Sequence, residues 1–153
     1  MLASFLMGLV GGQRAMTPLA TVAAAAARGA LPADNGAPRI MAHPLVAAGA
    51  AILAAGEMAG DKLKVAPDRT APIGLAARFI TSAIAGAALA PRRRRWLGAA
   101  VGGTTAVVAS YPGWRARMAA MEHYDQTSTG LVEDAVVLAG AVAILRALGK
   151  SAA

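Results

Sequence analysis

Five apolar segments, each near the length that crosses a lipid bilayer, dominate this chain of 153 residues. They run from Leu2 to about Ala27, Met41 to Gly60, Ile73 to Ala90, Trp96 to Ala109 with a continuation toward Met121, and Leu131 to Leu148. The loops between them are polar and proline-punctuated: Arg28 to Arg39, Asp61 to Pro72, the basic run Arg92 to Arg95, and a stretch around His123. A helix needs about 20 residues to cross a hydrocarbon core, within a range of roughly 17–25. The second, third and fifth segments have that length as they stand. The first and fourth reach it only through an interruption, at Gly12 and Pro18 in one and at Pro112 and Gly113 in the other. Two readings of the fourth stay open: a helix broken at membrane depth, or one that ends at Ser110 and is followed by an interfacial helix.

The expectation is an all-α fold: a multi-pass transmembrane bundle of about five helices in one domain spanning 1–153. Hydrophobic residues make up 57% of the chain and charged residues 15%, where a soluble domain carries nearer a quarter charged. Much of the apolar content is alanine, so a soluble alanine-rich bundle is the rival. With 4% aromatic residues it would have few bulky side chains to pack a core. Cysteine is absent, which excludes disulfides, thiolate metal sites and cysteine nucleophiles. Met1 to Gly12 lacks a basic leader and reads as mature structure.

Net charge is +7, much of it in Arg92 to Arg95. Between two apolar segments, that run reads as a loop facing anionic lipid heads, not as a nucleic-acid surface. With it inside and five crossings, the loop bearing Arg28 and Arg39 and the end bearing Arg146 and Lys150 are also inside, and the start of the chain is outside. Trp96, Tyr111, Trp114 and Tyr124 fall near segment ends, as interfacial anchors do. Gly8 and Gly12, Gly56 and Gly60, and Gly98 and Gly102 are each four apart, the spacing that lets helices approach closely in lipid.

Charged groups inside apolar segments are costly, and therefore informative. Arg14 sits at the first interruption. Glu57 and Asp61 share a helix face at the end of the second segment. Arg78 lies in the second turn of the third, and Glu133 and Asp134 open the fifth. With Lys62, Arg69 and Arg115 they form a nearly balanced set, as pairing in a low dielectric requires. The set reads either as salt-bridge struts or as a binding and transport site for an ion or small polar solute. In the second reading Glu57, Asp61, Glu133 and Asp134 are cation or proton sites, and Arg14, Arg78 and Arg115 hold anions or act as counter-charges. Thr129 or Ser128 would cap the fifth helix, with Glu133 and Asp134 favouring its positive end.

No Ser–His–acid arrangement, phosphate-binding glycine loop or HExxH motif is present, and no cofactor is expected. His43 and His123 have no third ligand near them in sequence, so no metal site is expected. An enzyme acting on a lipid phosphate, using Asp61, Lys62 and Arg69, is a third class and would need a divalent metal. Gly12-Gln13-Arg14-Ala15 and Gly113-Trp114-Arg115-Ala116 share a Gly-x-Arg-Ala pattern. If the first and second segments correspond to the fourth and fifth, the third makes the two copies opposite in topology, which suggests an inverted repeat of the transporter kind.

Gly12-Gln13-Arg14-Ala15-Met16-Thr17-Pro18, Gly56-Glu57-Met58-Ala59-Gly60-Asp61-Lys62-Leu63 and Pro67-Asp68-Arg69-Thr70-Ala71-Pro72 resemble a bacterial membrane protein family catalogued as domain of unknown function 4126. Gly74 to Ala90 with Arg78 and Gly86, the pair Trp114-Arg115 and the acids Glu133-Asp134 extend the resemblance over nearly the whole chain. Lys64 stands where that family often has Pro, and Arg14 where it often has Asn. The resemblance implies a multi-pass protein of the bacterial inner (plasma) membrane and no particular activity. The expected partners are membrane lipids and a second copy of the chain, since so few helices enclose little space alone.

Overall fold

The computed structural model describes residues 1–60 and 71–151, and every element among them is a helix, without a strand. The helices are α1 (Leu2–Gln13), α2 (Met16–Ala27), α3 (Pro44–Gly60), α4 (Pro72–Leu89), α5 (Arg95–Met121) and α6 (Gln126–Ser151). Short 3-10 turns at Arg39–Ala42 and Arg92–Arg94 precede α3 and α5. Pro44 and Pro72 open their helices, where a missing N–H costs nothing. The His43 ring accepts a hydrogen bond from the Leu45 amide (3.2 Å), so this histidine caps α3. Gly29, at φ 64°, ends α2, with the Gly29 and Ala30 amides returned to Ala26 and Ala25.

Glycines bring α1, α4 and α5 to backbone contact. A Cβ on Gly12 would lie 2.6 Å from Ala109 Cβ, and one on Gly8 would lie 2.7 Å from the Gly102 carbonyl. Gly86 of α4 lies against the Gly98 carbonyl of α5, and the Ser4 hydroxyl donates to Gly86 O (2.9 Å). These pairs run α1 parallel to α5 and antiparallel to α4. Two of the three expected glycine pairs, Gly8/Gly12 and Gly98/Gly102, therefore pack helices together. Gly56 and Gly60 have no described atom near enough to meet a Cβ. Their helix, α3, is buried only at Ala50 and Ala54.

The first segment does not pass through its interruption; it doubles back. Arg14 is extended (φ −137°, ψ 116°), which ends α1, and α2 restarts at Met16. A Cβ on Gly11 would lie 3.2 Å from Pro18 Cγ. In a straight helix those positions are about 10 Å apart. α2 returns to the end where α1 began: Gly36 donates to Ala88 O and Ala90 O, and Arg92 N donates to Asp34 O. Arg28, Arg39, Arg92 to Arg95 and the last turns of α6 gather at this basic end, together with the start of α1. Placing the start of the chain opposite the basic run was therefore wrong. The cause is a remote one, the contacts that hold the bend.

The breaks are corrected too. Gly12 lies in the last turn of α1 and Pro18 in the first turn of α2, so the bend falls between them, at Arg14 and Ala15. Pro112 and Gly113 break nothing, because α5 is continuous over 27 residues. Pro112 is exposed, so its ring projects away from the packed face. On that face Gln13 Nε2 donates to Ala109 O (3.3 Å) and its amide lies against Gly113, which supports the helix on both sides of the proline. The two Gly-x-Arg-Ala motifs are thus not structural equivalents: one bends the chain and the other lies within a helix.

α6 starts at Gln126, five residues before the expected Leu131, because the Asp125 carboxylate caps it by accepting from the Ser128 amide (2.9 Å). The cap is neither Thr129 nor Ser128. Glu133 and Asp134 consequently lie beyond the first turn, where the helix dipole has little hold on them.

Candidate functional site

A bent helix leaves carbonyls unsatisfied at the end of its first half and amides unsatisfied at the start of its second. Residues from other helices bind the backbone where the second half starts. Glu57, near the end of α3, accepts from Ala15 N with Oε1 and from Met16 N with Oε2, both at 2.7 Å. Its charge thereby sits at the positive end of α2, where an anion is favoured. Thr81, the tenth of the 18 residues of α4, donates its hydroxyl to Ala15 O at 2.6 Å. The bend therefore lies level with the midpoint of α4.

Arg14 projects from the bend and is 1% exposed. Its Nη2 lies 2.7 Å from Asp134 Oδ1 and 3.8 Å from Glu133 Oε2, both on α6. Arg117 of α5 donates through Nη1 to Glu133 Oε2 at 2.8 Å. Two guanidinium groups and two carboxylates alternate across three helices, in charge balance. Buried ions survive in a low dielectric only when paired in this way. The cation at the negative end of α1 also suits that helix's dipole.

The structure joins Arg14, Glu133 and Asp134 and sets Glu57 beside them, holding the bend. Arg78 is buried on α4, just before Thr81. Asp61, Lys62 and Arg69 lie outside the described residues. Arg115 does not belong to the cluster, for it is exposed. The arginine that does belong is Arg117. A signal for it exists: Gly102, Ala106, Ala109, Gly113 and Arg117 follow one another at helical spacing along the small-residue face of α5. Arg115 stands two residues off that line, on the far side of the helix. Gln13 and Thr81 were also missed, since neither is charged.

A cavity of about 520 Å³ lies among α1, α5 and α6. Gln13, Gly113, Arg117, Thr129 and Glu133 line it beside aliphatic side chains. The hydroxyl oxygen of Thr129 is buried with no hydrogen-bond partner, as are those of Thr17 in the first turn of α2 and Ser82 on α4. Among the described residues no group of three or more His, Asp or Glu could hold a metal ion. The chemistry available is ion pairing, hydrogen bonding and proton exchange. No family model, curated protein or solved structure matches the chain.

Proposed function

We propose that this is a multi-pass integral membrane protein in which α3, α4, α5 and α6 cross the bilayer and the α1–α2 hairpin enters and leaves from the basic side. Large apolar side chains are exposed on several faces, among them Leu45 and Ile52 on α3, Ile73 and Ile80 on α4, Val108 on α5 and Val136 on α6. Exposed apolar surface of that extent marks a partner or a membrane. Among the described residues one helix, Pro72–Leu89, is both long and apolar enough to cross on its own. Only 39% of it is buried, unlike the core helix of a soluble protein. α1, α2 and α3 are shorter apolar helices. Trp96 at the basic end and Tyr124 beyond the other end of α5 are exposed at interfacial positions. The basic end faces the cytoplasm in this reading.

Within that frame the cluster at the bend is a transport site for a small ion or polar solute. One observation carries this: the ionic ladder opens through Arg117 and Glu133 onto a cavity where the Thr129 hydroxyl has no partner. Helices broken at mid-depth, with ionisable groups beside a cavity, suit a solute path. Glu133 is the proposed cation or proton site, and Arg14 and Arg117 are its counter-charges.

The test is flux in proteoliposomes for protons, monovalent cations and small anions, comparing the natural chain with Glu133→Gln. Flux that Glu133→Gln abolishes while the protein stays folded supports a path through Glu133. Absence of any flux from the natural chain sinks the transport reading. The alternative, a scaffold whose charges are struts, draws on the close pairing of Arg14 with Asp134. A strut tolerates an Arg14→Asp/Asp134→Arg exchange, whereas a transport site does not.

A further inference from the structure

One face of α2 carries Ala20, Ala24 and Ala25, with no atom beyond Cβ. α3 and α6 flank this face without packing closely on each other. A trough of about 600 Å³ results, lined also by Ala54, Met58 and Leu145. The Thr21 hydroxyl is spent on its own helix, at Thr17 O (2.8 Å), so the floor is apolar. At the basic end the lining changes to Arg28 and Arg146, and no acidic residue among the described residues lines the trough. Arg28 Nε is fixed by Ala24 O (3.1 Å), which leaves the outer edge of its guanidinium directed to the surface.

The lining of the trough runs toward the basic end from Ala20 to Arg28 along α2 and from Leu138 to Gly149 along α6, about 12 to 16 Å. Half of a hydrocarbon core about 30 Å thick has nearly that length. An apolar channel one leaflet deep, closed by two cations where the headgroups lie, matches one kind of molecule. We infer that it seats an acyl chain of an anionic phospholipid from the leaflet at the basic end, with the phosphate held by Arg28 and Arg146. The inference rests on the bilayer reading above.

Two measurements keep their failures apart. Retention in the membrane pellet after an alkaline carbonate wash tests the bilayer reading alone; release would overturn that reading and this one with it. Native mass spectrometry from detergent then compares bound phosphatidylglycerol with phosphatidylcholine. The expected result is a preference for phosphatidylglycerol that falls by about tenfold in Arg28→Gln/Arg146→Gln, at about a factor of a few for each cation lost. Arg93→Gln/Arg94→Gln, at the same end but outside the trough, keeps the preference. Ala24→Leu, which fills the floor, lowers occupancy by both lipids. An unchanged preference in Arg28→Gln/Arg146→Gln overturns the site. An equal loss in Arg93→Gln/Arg94→Gln shows surface charge alone and also overturns it. Competition by glycerol phosphate as strong as by the whole lipid would show a free-anion site with no role for the trough.

Discussion

Arg14 and Asp134, near opposite ends of the sequence, meet at 2.7 Å inside the bundle. The pair ties the bend between α1 and α2 to the third turn of α6, and both side chains are largely withdrawn from solvent. Removing one member takes from the other its nearest opposite charge inside the bundle. Arg14→Ala and Asp134→Asn are each expected to destabilise by roughly 3–5 kcal/mol. Thermal unfolding in mild detergent measures this, and wild-type melting of both variants would show that the pair holds nothing.

Arg117 and Arg115 form a matched comparison on one helix. Arg117→Gln breaks the 2.8 Å bond to Glu133 and should cost roughly 2–4 kcal/mol. Arg115→Gln, at an exposed position, should stay within about 0.5 kcal/mol of the natural chain. The reverse order of melting temperatures would place the wrong arginine in the cluster.

The hairpin makes a topological prediction that five straight crossings do not share. The chain has no cysteine, so an introduced thiol is unique. In sealed vesicles, Leu2→Cys and Ala33→Cys should react with an impermeant maleimide from the same side, and Thr127→Cys from the opposite side. Labelling of Leu2→Cys from the side of Thr127→Cys would show that the first segment crosses.

Close approach separates glycines that look alike in sequence. Gly86→Ala drives a Cβ into the Gly98 carbonyl of α5 and should cost about 1–3 kcal/mol. Gly49→Ala meets no described atom within 4 Å and should change stability by less than about 1 kcal/mol. Equal losses at both positions would contradict the packing of α4 on α5.

The cap of α6 predicts a pH effect. The Ser128 amide, donating to the Asp125 carboxylate, holds this carboxyl below its ordinary value. The folded pKa is therefore lower than the unfolded one, so the cap stabilises fully above the unfolded pKa. That contribution is lost as pH falls through the folded value. Amide exchange at Gln126 to Thr129 should quicken, relative to the intrinsic rate, as pH drops below about 3.9. Asp125→Ala should show the fast exchange at every pH, and a natural chain insensitive to acid in this turn would remove the cap.

Much of this protein is written locally. Apolar segments of helical length, with prolines at Pro44 and Pro72, are enough to specify helices, because propensity and capping act within a few residues. The sequence also marked Arg14, Glu57, Glu133 and Asp134 as special, since a charge in an apolar segment needs a partner wherever it lies. What it left open depends on residues far apart in the chain. A Gly-x-Arg-Ala motif bends at Arg14, where Glu57 and Thr81, on other helices, hold the backbone of Ala15 and Met16. Its counterpart stays helical through Pro112 and Gly113, where Gln13 packs against α5 and supports it. The choice of Arg117 over Arg115 follows from which face of α5 turns toward α6. Local chemistry determined that there would be helices and buried charges. Only the tertiary structure decided where the chain reverses and which charges meet, because a broken helix and a buried ion are each stable only in the presence of their remote partners.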